Sequence, residues 1–330
     1  MSLDAWQRHV ASFRTPSTAK ATRQLVDSVG VYLGLWVLLA FAVQISWWLA
    51  VPIALLAGGV LVRVFIIHHD CGHGSFLNSA AGNRFWGVIS GVLTFTPFEQ
   101  WRSCHAVHHG TTGNLDRRGT GDVWTLTVKE YEQMSWWGRC GYRLSRNLFV
   151  LLGVAPLFMF VVQHRFSKRD ANKRERRSVL WTNVAVGLWA VLGCLVFGII
   201  PYLILQGVVF AVAGAVGVWL FFTQHQFEGA YWERKEDWSY LDAALRGSAF
   251  LKLPRVLQWF TGNIGFHHIH HLDARIPNYR LQACHESHAG FDQIVPKLKT
   301  FNSLRGFGLK LWDEKEGHMV KFPRAKRRSA

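Results

Sequence analysis

Disulfide chemistry has little to work with in this 330-residue chain. It holds five Cys (Cys71, Cys104, Cys140, Cys194 and Cys284), an odd number with no C-x-x-C pair. That excludes a disulfide framework and fits a functional face in a reducing compartment. Acidic side chains are also few, 21 against 37 Lys and Arg, for a formal net charge of +16. A basic chain can be a nucleic-acid binder. Here, however, the charge collects between long apolar blocks, which is the pattern of a membrane protein with basic loops. No secretory leader opens the chain, because residues 1–28 are polar and mildly basic, with Arg8, Arg14, Lys20 and Arg23. An interfacial or loosely ordered arm is expected there. Internal repeats and low-complexity tracts are absent.

What is abundant is apolar sequence, 50% of the residues. From Val29 to Ile67 only Gln44, Ser46 and Arg63 interrupt it. A span needs about 20 residues, so this stretch holds two, with a break near Ser46–Pro52 and Trp47 and Trp48 in the interfacial aromatic belt. Leu180–Ile200 and Pro201–Phe222 form a second hairpin with its turn at Pro201. Residues 82–98 and 147–162 are apolar but short and rich in Gly or Pro, which suits interfacial or re-entrant segments. The expected fold is an all-α integral membrane protein: four transmembrane helices in two hairpins under a helical cap. The expected divisions are an arm over 1–28, a membrane domain over 29–285 and a basic tail over 286–330. Basic runs at 164–177 and in the tail (Lys321, Arg324, Lys326, Arg327, Arg328) place both termini in the cytoplasm.

The chain has 16 His, and ten of them stand in three clusters. These are His68-His69-Asp70-Cys71-Gly72-His73, His105-Ala106-Val107-His108-His109 and His267-His268-Ile269-His270-His271. On a helix, residues three or four apart share a face. His69 can pair with His73, His105 with His108 and His109, and His267 with His270 and His271. Adjacent His diverge by about 100°, so one helix can serve two neighbouring ions. Eight imidazoles suit two ions better than one, and imidazole accepts Fe, Zn, Cu and Ni alike. The clusters converge on one side only if 147–162 does not cross the membrane. His225, directly after the last span, is a ninth candidate ligand. Asp70, Asp122, Glu228 and His268 are candidates to hold the outward ring nitrogens of the ligands.

HDCGH (69–73), HAVHH (105–109), HHIHH (267–271) and the strings LDRRGTGDVWTLTV (115–128), QHQFE (224–228), LQWFTGNIGFHHIHHL (257–272) and RIPNYRL (275–281) resemble the membrane fatty-acid desaturases. They look most like the bacterial acyl-lipid enzymes that act at the delta-12 (omega-6) position. The likeness runs over roughly residues 60 to 285. It implies a centre of two Fe ions, O2 as co-substrate, an acyl-lipid substrate and an external electron donor such as ferredoxin with its reductase. The implied ligands are His69, His73, His105, His108, His109, His267, His270 and His271, joined by His225. One departure stands out: some relatives carry an Asn ligand in the helix before His225, and none occurs there. A fused cytochrome b5 module is also missing, so a soluble acidic donor is expected at a basic face. The implied location is the bacterial inner membrane, with the site cytoplasmic and no nucleic-acid partner.

The chemistry asks for an oxidant, because no side chain can deprotonate an alkane C–H. Trp101, Thr96 and Phe98 are candidate lining residues for the acyl chain. A lipid or carotenoid hydroxylase or ketolase would carry the same boxes. A non-catalytic membrane metal-binding protein would place its polar residues within the spans, which are here nearly free of them.

Overall fold

A computed structural model describes residues 1–323. The expected basic tail residues Arg324, Lys326, Arg327 and Arg328 lie outside the described residues. Four helices are long and apolar enough to cross a membrane: Thr18–Ile45, Trp47–His73, Lys173–Phe197 and Ile199–His225. They form two hairpins. The first turns at Ser46, whose extended backbone breaks the helix and whose side chain caps the next one through Trp48 N. Trp48 beside it is 90% exposed, as an interfacial anchor would be. The second hairpin turns at Gly198, at φ +82, and not at Pro201. Pro201 is the third residue of the fourth span, where its missing N–H costs no helical hydrogen bond.

Small residues let the spans approach. A Cβ at Gly58 would lie 2.6 Å from Val212, and one at Gly193 would lie 2.2 Å from the Tyr202 ring. The second span is the central one, packed against the first, the fourth and the helix Ala80–Leu93. That last helix has 14 residues, too few to span, and packs on the second span. The segment at 147–162 lies against the fourth span, where a Cβ on Gly214 would sit 2.8 Å from Pro156. With the preceding helix Trp136–Ser145 it makes a pair bent by 63°. All three histidine clusters meet at one end of the bundle, so the crossings between the second and third clusters are even in number and this segment does not add one.

Short helices and strands cap that end. The second cluster rides on Phe98–Thr111 and the third on His267–Leu272. Among the described residues, neither 1–17 nor 289–320 is a loose appendage. The first span begins at Thr18, and residues 3–13 are helical, with Trp6 buried against Phe291 at 4.4 Å between ring centroids. Arg14 pairs with Asp273, the residue that ends the third-cluster helix, at 2.6 Å. Residues 289–320 complete the cap: Lys297–Lys299 pairs in parallel with Phe250–Lys252, and Leu311–Asp313 lies between Leu126–Thr127 and His318–Val320. The arm fails to be loose because Trp6 and Val10 bring an apolar face that the cap buries.

Candidate metal centre

Nine histidines from four pieces of chain come together in two groups. His69, His73, His105, His109 and His270 form one; His108, His225, His267 and His271 form the other. In each, the nitrogens lie within 4.8 Å of one another. The groups touch, since the His109 ring stacks on His271 at 4.3 Å. The helical spacing is used selectively. His69–His73, His105–His109 and His267–His271 each share a group at i,i+4, and His105 does not join His108. The neighbours His108 and His109 diverge into different groups, as do His270 and His271, as 100° per residue requires.

The inner nitrogens are closely spaced. Nε2 to Nε2 separations are 3.2 Å for His105–His109, 2.9 Å for His109–His270, 2.9 Å for His225–His267 and 3.1 Å for His267–His271. Imidazole–metal bonds of about 2.0–2.1 Å set neighbouring ligand atoms about 3 Å apart. His73 Nε2 and His108 Nε2 are buried without a protein partner. A cation would satisfy these partnerless nitrogens and the crowded lone pairs around them, so the residues present fit metal in both groups.

Three of the outer nitrogens are held, while His109 Nδ1 and His267 Nδ1 are buried without a partner. His69 Nδ1 donates to Asp70 at 3.0 Å, His108 Nδ1 to Asp122 at 2.5 Å and His225 Nδ1 to the Gly247 carbonyl at 3.1 Å. These partners fix the tautomer with Nε2 facing inward. Burial, reinforced by the neighbouring imidazoles, holds His105, His109, His267, His270 and His271 well below the ordinary imidazole range. They are neutral, the form that binds metal.

Two of the expected holding residues stand elsewhere. Glu228 is exposed, and its backbone carbonyl accepts from Met319 N; the Gly247 carbonyl does the work expected of it at His225. His268 turns away and pairs with His285 at 2.9 Å. His68 is buried, its Nδ1 on the Gly87 carbonyl. Trp101 stacks on His105 at 4.4 Å, and Phe221, which the sequence did not suggest, packs on His108 at 5.1 Å. Thr96 and Phe98 reach no histidine of either group: Thr96 donates to the Thr94 carbonyl and Phe98 packs on His68. Another residue missed by the sequence reading is Arg146. Its buried guanidinium donates to Gln226, beside His225, and to the Trp124 carbonyl, two residues from Asp122. No signal in one sequence marks such a contact across 80 residues.

Four apolar spans and a cluster of nine buried or half-buried imidazoles at one end define a helical membrane protein suited to metal chemistry. The profile of the fatty acid desaturase family matches residues 46–297. The chain is 42% identical over 315 residues to a fatty acid desaturase of Bacillus subtilis (strain 168), covering 96% of this chain and 89% of that one. It is 27% identical over 302 residues to an sn-1 acyl-lipid omega-3 desaturase (ferredoxin) of Synechocystis sp., covering 82% and 76%. It is also 27% identical over 284 residues to an sn-1 oleoyl-lipid 12-desaturase of Picosynechococcus sp., covering 81% and 76%. The chain belongs to the fatty acid desaturase family, and is thus a membrane fatty-acid desaturase, an oxidoreductase.

Proposed function

We propose that this protein desaturates a lipid-linked acyl chain with O2, using two iron ions held by the nine histidines, and that it introduces the bond at the delta-12 position. The convergence of nine imidazoles into two touching groups carries the reading. Bound iron would supply the oxidising power that an unactivated CH2–CH2 pair demands. His69, His73, His105, His109 and His270 would hold one ion and His108, His225, His267 and His271 the other. Asp70, Asp122 and the Gly247 carbonyl orient their histidines. Trp101 and Phe221 press apolar faces on His105 and His108, which excludes water from that side of the site and suits an acyl chain. The balance is one O2 reduced to two waters: two electrons and two protons come from the acyl chain, two electrons from a donor and two protons from solvent. A soluble ferredoxin-like protein with its reductase suits the basic chain as donor. The run at 164–177 supports a cytoplasmic site in the bacterial inner membrane.

The test is fatty-acid analysis with double-bond location after expression in a host lacking polyunsaturated lipids, beside a His108→Ala control. New 9,12-diunsaturated chains, absent in the control, are expected. Bonds at another position would overturn the delta-12 assignment, and hydroxylated products alone would overturn desaturation.

A further inference from the structure

The two carboxylates that orient box histidines are supported differently. Asp122 meets His108 through Oδ1, while its Oδ2 is buried without a partner. Asp70 is held at both oxygens. Oδ1 accepts from His69 Nδ1 at 3.0 Å, and Oδ2 accepts twice from Asn278, at 2.6 Å from the backbone N and at 2.8 Å from Nδ2. Asn278 is itself buried, at 1% exposure. It opens the helix Asn278–Glu286, which follows the third cluster, whereas Asp70 lies in the last turn of the second span.

The position of Asn278 is fixed from three sides. Pro277 precedes it and allows the helix to start there. The Asn278 carbonyl accepts from Asn263 Nδ2 at 3.2 Å, a side chain on the loop that leads into the third cluster. Tyr279, next in the chain, donates to the Phe76 carbonyl at 2.9 Å and accepts from Ser17 N at 3.0 Å. Asn278 is therefore a rigid two-donor bracket. An ionised carboxylate offers only acceptors, so two N–H donors on one oxygen turn the other oxygen squarely to His69.

We infer that Asn278 is a positioning residue for the five-histidine group, acting through Asp70 to aim His69 Nε2 at the other four histidines. It touches neither metal nor substrate. Because it sits on the element after the third cluster, it also ties that cluster to the first, whose His69 shares a group with His270.

This inference rests on the reading of the two groups as metal sites, and the experiment separates the two. The full chain is purified in detergent, stripped of metal and titrated with Co(II), following the visible absorption of the bound ion and the bound stoichiometry. The apoprotein's melting temperature is measured alongside. Asn278→Ala keeps the backbone donor and loses the side-chain one; Asn278→Ser restores a short donor. Wild type is expected to bind two Co(II). Asn278→Ala is expected to bind one of them about 10-fold or more weakly with an altered spectrum, at an unchanged apoprotein melting temperature, and Asn278→Ser to recover most of the affinity. Wild type that binds no Co(II) would overturn the metal reading itself. Wild-type affinity and spectrum in Asn278→Ala would overturn the positioning role alone. A lowered apoprotein melting temperature in both variants, with the spectrum unchanged, would overturn it in favour of a purely structural bracket.

Discussion

At the scale of single residues, the outward contacts of the histidines make separable forecasts. Asp122→Ala removes the nearer acceptor of His108 Nδ1, leaving only the Thr112 hydroxyl at 3.3 Å, and loosens the ring. Metal affinity in the four-histidine group is expected to fall about 10–100-fold, measured by metal titration of the purified chain. Glu228→Gln alters an exposed side chain away from the centre and is expected to leave metal content and product yield unchanged. Lys310 answers to pH. It is half-buried beside Arg146, and burial pushes its ammonium down to about 8. The folded value lies below the ordinary one of 10.5, so between them the unfolded chain binds more protons and stability rises with pH. Lys310→Met is expected to flatten that rise, read as melting temperature between pH 8 and 10. The ligands were legible in sequence because i,i+4 spacing and divergence of adjacent residues are properties of any helix. Their supports were legible only where they follow in chain, as Asp70 does, or lie in the short loop after a cluster, as Asp122 does. Gly247 serves through its carbonyl and Asn278 from 208 residues away, and neither leaves a local mark. Glu228 misled because closeness in sequence to His225 says nothing of which way a side chain points once the helix has ended.

At the scale of elements, the spans followed from apolar length alone, and their ends did not. Pro201 invited a turn, but a proline in the first turn of a helix is harmless, and Gly198 with its positive φ makes the corner. The arm was read as interfacial or loosely ordered because its mean polarity hides an apolar stripe through Trp6 and Val10. The loop before the third cluster shows what local strain can do. Gly262 has φ +52, and a Cβ there would fall 2.8 Å from Ile66 of the second span. Gly262→Ala is expected to destabilise by about 2 kcal/mol from the left-handed backbone and the clash, and to lower metal binding with it, since His267 follows five residues later. A melting curve and a metal titration on the same sample check both.

At the scale of the whole molecule, the two histidine groups tie the membrane spans to the helices of the cap. Each draws on a transmembrane span, the second-cluster helix and the third-cluster helix. Chelation is therefore expected to lower the melting of the spans together with that of the cap, as one transition. Free metal at a thousand times its dissociation constant stabilises by about 4 kcal/mol per site. Two separate transitions in far-ultraviolet circular dichroism after chelation would contradict this coupling.

The closing of Trp6 over Phe291 has a consequence in time. A chain made from its N-terminus inserts both hairpins before the third cluster is synthesised. Until His267, His270 and His271 emerge, the first group lacks one histidine and the second lacks two. The arm, made first, waits with its tryptophan uncovered for a partner nearly three hundred residues later. Completion of the two groups and capping thus belong to the end of biogenesis, and a chain truncated before His267 would carry both hairpins yet lack three of the nine histidines.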